Sequence, residues 1–210
     1  MKLYEFSLAP GPRRVRIFIA EKGIEIPSVQ INTRERQQFT DEYRAVNPNC
    51  VVPTLVLDDG TGLGETVAIC RYLEETHPEP NLMGRDAKEK AVFEMRNRQA
   101  ELEGYLAAVD AVRNSAPMFE GRGVAGVTGG VPQIPALAER GRQSMGRFFA
   151  KIDGQLAANS HIAGDRFSIA DITAFVTIDF AKRAEIEIPA GCANVARWFA
   201  EVGERPSASA

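Results

Sequence analysis

Glu65 and Thr66 place a carboxylate and a hydroxyl where a helix is predicted to begin. Ala68, Ile69, Tyr72 and Leu73 follow at a spacing that puts four side chains on one helical face. A helix start carries unpaired N–H donors and the positive end of the dipole, so it can hold a carboxylate, while an adjacent acidic side chain can hold an ammonium. Together the two suit an α-amino-acid head group. The other reading is ordinary capping by Thr66, with Glu65 complementing the dipole. Upstream, Val52-Pro53 heads the apolar run Thr54-Leu55-Val56-Leu57, and a proline is tolerated there because the first residue of a strand can spare its N–H. Val52 can then offer its own N–H and C=O to an extended, peptide-like ligand as one more antiparallel strand, unless Val-Pro is simply a strand start.

In order and spacing, Val52-Pro53-Thr54-Leu55, Glu65-Thr66-Val67-Ala68-Ile69 and Tyr72-Leu73-Glu74-Glu75 resemble the glutathione-binding half of the cytosolic glutathione S-transferases, closest in motif to bacterial theta- and zeta-like classes. The resemblance implies that Val52 pairs with the cysteinyl backbone of glutathione and that Glu65 and Thr66 grip its γ-glutamyl end. Gln37-Gln38-Phe39 resembles the zeta-class loop, which carries a glutathione contact over to Gln38. Val51 departs from the lysine or glutamine often found before the Val-Pro pair. The family further implies glutathione as co-substrate without a metal, a small hydrophobic electrophile, and a homodimer.

Transfer requires a thiolate, because the ionised sulfur is the nucleophile. From a thiol pKa of about 8.5, a lowering of roughly two units needs about 2.7 kcal/mol of preference for the anion. In register with the family's serine or cysteine this chain has Ala9, and in register with its tyrosine, a residue near Phe6. Ser7 is the nearest hydroxyl and the candidate catalytic residue; the alternative is a plain strand-end serine. Pro10 and Pro12 lack N–H groups, which leaves Ala9, Gly11 or Arg13 as backbone donors at the start of the next helix. The arginines at 13, 14 and 16 either raise the local potential or form a solvated face. Two rivals to the transferase stay open: a glutathione-dependent disulfide reductase or peroxidase, and a non-catalytic glutathione-binding or interaction module.

The elements that must position these groups follow from periodicity. Lys2–Phe6 reads as a strand, Pro12 opens a helix with Val15, Phe18 and Ile19 inward, Gly23 ends it, and Ser28–Ile31 is a second strand. This strand-helix-strand unit is expected to be right-handed with parallel strands. A short helical segment with Phe39, Tyr43 and Val46, a hairpin around Asp58-Asp59-Gly60 and the helix from Thr66 complete the order of a thioredoxin-like domain. Beyond a polar, proline-containing linker from about Thr76 to Lys90, the period turns helical: about Asp86 to Asn114, Pro135 to Ala158, a capped start at Ser168-Ile169-Ala170-Asp171, and about Ala193 to Gly203. The predicted fold is an α/β thioredoxin-like domain over residues 1–82 followed by an all-α domain over 86–210. The family gives that second domain the electrophile pocket; Tyr105, Val109, Val112 and Met118 are candidate walls or core. Gly121–Gly130 is too glycine-rich for regular structure and is either a mobile loop over a cleft or a surface connection. The tail after Pro206 is expected to fray.

A chain of 210 residues can bury a core without staples, and its net charge of −3 carries no polyanion-binding signature, so nucleic acid is not an expected partner. No run of eighteen apolar residues or signal-like N-terminus is present, which makes no membrane and a cytoplasmic location the expectation. Cys50, Cys70 and Cys192 read as free thiols, with Cys50 either a bystander or a partner for a mixed disulfide with glutathione. His77 and His161 lie in no ligand cluster, so no metal site is predicted.

Overall fold

The computed structural model describes residues 1–210. It divides into two compact units, Met1–Pro80 with Val124–Gly130 and Ala210, and Asn81–Gly123 with Val131–Ser209.

In the first unit, β1 (Lys2–Glu5), α1 (Pro10–Lys22), β2 (Ser28–Gln30), α2 (Asp41–Val46), β3 (Thr54–Val56), β4 (Gly62–Leu63) and α3 (Thr66–Thr76) follow one another. The sheet order is β2-β1-β3-β4, with β1 and β2 parallel and the other pairs antiparallel. Leu3 lies opposite Leu55 in register, and both side chains are buried in a core with Val15, Phe18, Ile69 and Leu73 from α1 and α3. The start of α1 comes two residues before the expected Pro12. Ala9 is extended at the N-cap, Pro10 is the first helical residue, and Pro12 sits within the first turn, where its missing N–H would have no intrahelical partner. Gly23, at φ 64°, ends α1: its N–H reaches Ala20 O and the N–H of Ile24 reaches Ile19 O, a pattern that needs a left-handed residue. Deep between α1 and α3, Lys22 pairs with Glu74 and donates to the carbonyl of Pro80 at 2.7 Å.

The second unit is helical: α4 (Ala87–Gln99), a π-helical turn (Ala100–Tyr105), α5 (Leu106–Arg113), α6 (Pro135–Leu156), α7 (Ile169–Ala181) and α8 (Ala193–Gly203). The run from Ala87 to Arg113 is continuous, and at the π turn Gly104 faces the ring of Phe148 so closely that a Cβ would stand 2.8 Å from it. Helix α7 is apolar on nearly every side and forms the centre of the unit. Its start is capped as expected. Ser168 Oγ accepts from Ala170 N, and the fully buried Asp171 carboxylate accepts from Ser168 N and Oγ at 3.0 and 2.9 Å. Ile162 N and Trp198 Nε1 donate to the same carboxylate, both at 2.9 Å, so that buried charge is fully partnered. The tail does not fray: Pro206–Ser209 forms a 3-10 turn with Ser207 and Ala208 buried. No helix is long and apolar enough to cross a membrane.

Candidate functional site

The Val52-Pro53 peptide is cis. The peptide preceding it is held from beneath: Val51 O accepts from Tyr43 Oη at 2.6 Å and from Asn47 Nδ2 at 3.1 Å. The same two side chains reach Thr54 Oγ1, at 3.1 and 2.8 Å. Burial pushes the Tyr43 phenol above its ordinary value, which keeps it a donor. Cys50 makes the turn at φ 54°, its buried Sγ on the carbonyl of Pro48. Val52 itself uses neither its N–H nor its C=O in a hydrogen bond within the chain.

At the other end Glu65 is the N-cap of α3, with φ 62° and ψ 120°, and its exposed carboxylate makes no capping bond. Thr66 is the first helical residue, one position too late to cap. Its buried hydroxyl donates instead to Gly11 O at 3.3 Å. The first-turn N–H groups of α3 therefore receive no side-chain cap.

Gly11 is where the separate segments meet. A Cβ on it would stand 3.3 Å from Pro53 Cδ and 3.5 Å from both Val52 O and Thr66 Oγ1. In the sequence Gly11 stands out only as a possible N–H donor, and this close approach is not legible there. Its one trace is the glycine enclosed by Pro10 and Pro12. Of the backbone donors at the start of α1, Ala9 N is bound to Phe6 O at 2.9 Å and Arg13 N to Ala9 O at 3.2 Å. Pro10 and Pro12 have none, so the N–H of Gly11 alone is uncommitted there.

Ser7 is exposed, with its backbone fixed on both sides: its N–H donates to Gln30 Oε1 and its C=O accepts from Arg16 Nη2, both at 3.0 Å. The buried Glu5 organises this corner, pairing with Arg16 and accepting from Gln30 Nε2 at 3.0 Å. The Ser7 hydroxyl makes no hydrogen bond. Arg14 is buried and Arg13 and Arg16 are half-buried, so the three arginines do not form a solvated face. Gln38 is buried in the 3-10 turn Gln37–Phe39 with its Oε1 unpartnered. Neither Ser7 nor Gln38 is hydrogen-bonded to Val52, Glu65 or Thr66. Among the candidate walls in the second unit, Val112 is fully buried core, Tyr105 and Val109 are half-buried, and Met118 is exposed.

Residues 10–76 match the family described as the glutathione S-transferase N-terminal domain, and residues 135–201 match its C-terminal domain. The chain belongs to the glutathione S-transferase family. It is 32% identical to glutathione S-transferase 2 of Saccharomyces cerevisiae, over 99% of this chain and 87% of that one. It is 30% identical to the maleylacetoacetate isomerase of Rattus norvegicus, over 89% and 80% of the two chains. The crystal structure of a glutathione S-transferase domain-containing protein from Marinobacter aquaeolei superimposes with a TM-score of 0.88 at 35% identity, covering 99% of each chain.

Proposed function

We propose that this protein conjugates glutathione, as its thiolate, to a small hydrophobic electrophile. The convergence of Val52, Pro53 and Thr66 on the bare Cα of Gly11 carries the reading, because it sets an unpaired backbone segment, an uncapped helix start and a free carboxylate at one corner. Val52 pairs with the cysteinyl backbone. Glu65 takes the γ-glutamyl ammonium, and the first-turn N–H groups at Thr66 take its carboxylate. Gln38 contributes a further contact.

The sulfur lies toward the start of α1, where the N–H of Gly11 stabilises the thiolate and the thiol proton leaves to solvent. A hydrogen bond to a charged group contributes about 1.5–3 kcal/mol and a helix end about 0.3–1 kcal/mol more. That sum reaches the roughly 2.7 kcal/mol required for a two-unit lowering. Ser7 is thus an auxiliary donor, and a hydroxyl in the register of Ala9 is unnecessary. The thiolate sulfur then forms a bond to the electrophilic carbon, whose displaced electron pair goes to a leaving group or to an activating acceptor.

We assign glutathione binding to residues 1–82 and the electrophile to the helical part, residues 86–210. A homodimer is supported by Met95, Leu102 and Leu106, large apolar side chains left exposed in the continuous run of α4, the π turn and α5. Three free, buried thiols, Cys50, Cys70 and Cys192, fit a cytoplasmic setting.

Calorimetric titration with glutathione near pH 7, in buffers of different ionisation heat, tests the chemistry. Release approaching one proton per site is expected. Binding without proton release would instead favour a glutathione-binding module, and absence of binding would remove the roles of Glu65 and Thr66. Ser7→Ala is expected to keep most of the turnover; its complete loss would transfer the thiolate from Gly11 to Ser7.

A further inference from the structure

Val124–Gly130 belongs to the first unit, although the residues on either side of it in sequence belong to the second. Its ends are drawn together at a neck: Gly123 N donates to Val131 O at 2.9 Å and Val131 N to Gly121 O at 3.0 Å. Arg113 clamps the neck through Gly123 O at 3.1 Å and Arg122 O, with its guanidinium over the Phe119 ring. The intervening residues form a short excursion with both ends held, so few contacts suffice to keep it in place.

Two contacts do so. Gly126, at φ 74°, lies so near the turn before Pro53 that a Cβ would stand 2.6 Å from Asn49 O and 3.0 Å from Val51 Cγ1. Thr128 O accepts from Arg36 Nη2 at 2.9 Å. Arg36 also has left-handed backbone, φ 63°, and its guanidinium lies over the Phe39 ring. Both anchor points flank residues assigned to the ligand: Asn49–Val51 runs directly into Val52, and Arg36 directly precedes Gln37-Gln38. Val51 itself lies against Gly126. The segment adds little to the core, since Val124 and Val127 remain 52% and 46% exposed. Its contacts serve the two ligand-bearing segments rather than the packing of the unit.

We propose that Val124–Gly130 is a strap that fixes the turn before Pro53 and the start of the Gln37–Phe39 turn, so that Val52 and Gln38 stand preorganised for glutathione. Arg36 and Gly126 are positioning residues: they act through Val52 and Gln38 and need not touch the ligand. This inference rests on the glutathione reading above. Loosening the strap lowers the fraction of molecules whose binding edge is in place, and the apparent dissociation constant rises by the inverse of that fraction.

The test compares Arg36→Ala, Gly126→Val and Arg36→Lys with the unsubstituted protein, by hydrogen–deuterium exchange and by glutathione titration. Arg36→Ala and Gly126→Val are expected to accelerate exchange in residues 124–130 and 49–52. They are also expected to raise the Kd, and the KM for glutathione, by about five- to tenfold with kcat held within about twofold. Arg36→Lys, whose ammonium can still donate to Thr128 O, is expected to recover most of the affinity. Faster exchange at 124–130 with an unchanged Kd would overturn the strap, as would exchange that neither substitution alters. Failure of the unsubstituted protein to bind glutathione is a different result, read before any variant is compared, and it would overturn the glutathione reading itself.

Discussion

Glu65 occupies an unusual position for an acidic residue at a helix start. It stands at the N-cap yet bonds to no first-turn N–H, holds a positive φ, and leaves its carboxylate exposed. A carboxylate serving only the helix would fold back onto the first turn, as Asp86 does onto Glu89 N at 2.8 Å in α4. We therefore expect Glu65→Gln to weaken glutathione about tenfold, the lower end of what losing a charge-assisted bond costs. The melting temperature should stay nearly unchanged, because no protein partner is lost. A titration paired with a thermal melt checks both, and a large loss of stability with intact affinity would reassign Glu65 to folding. Gly11 is the complementary case, a residue whose role lies in what it lacks. Any side chain there meets Pro53, Val52 and Thr66 together.

Helix α8 shows how one element can depend on another for its start. Cys192, its N-cap, makes no side-chain bond. Asp153 on α6 serves instead, accepting from Asn194 N and Val195 N at 2.9 and 3.1 Å and from the Asn194 amide at 3.1 Å. The hydrogen bond from the Val195 backbone, ahead of the Asn194 contributions, holds the carboxyl below its usual value. A group whose pKa is lower folded than unfolded stabilises the protein above its unfolded value and loses that contribution as pH falls through the folded one. Asp153→Asn should accordingly melt a few degrees lower than the unsubstituted protein at neutral pH, with the gap closing as the solution is acidified below the carboxylate range. Parallel thermal melts across that range would show it, and a gap independent of pH would mean that the carboxylate charge is not what caps α8.

For the whole molecule, the apolar row on the run from Ala87 to Arg113 has the clearest consequence. Met95, Leu102 and Leu106 are 44%, 51% and 47% exposed, and Leu102 and Leu106 are one helical turn apart. A row of this kind is ordinarily covered, and a twofold dimer covers it with its own copy. Leu102→Glu is expected to yield a monomer at micromolar concentration by sedimentation, and the unsubstituted chain is expected to sediment as the proposed dimer. A variant that remains dimeric would place the interface on another face.

What could be read from the chain alone is what depends on neighbours in sequence. The proline-rich start and left-handed Gly23 stop of α1, the capped start at Ser168 and the helical period of Met145, Phe148, Phe149, Ile152 and Leu156 all rest on contacts within a turn or two, where spacing and backbone preference decide the outcome. The order of strands and helices, and hence the fold, followed from them. Legibility stopped where partners lie far apart along the chain. Thr66 reads as a cap but turns its hydroxyl to Gly11, and Asp171 reads as half of a capping box but also receives Trp198. Asp153 shows nothing of its role beyond its own helix, and a glycine-rich connection gives no sign that it belongs with residues 36 and 49–51. Local spacing specifies which face a side chain occupies, and packing alone selects what that face meets. The proposed binding corner therefore existed in the sequence as separate fragments, and the tertiary structure joined them by bringing Pro53 and Thr66 against a residue with no side chain to keep them apart.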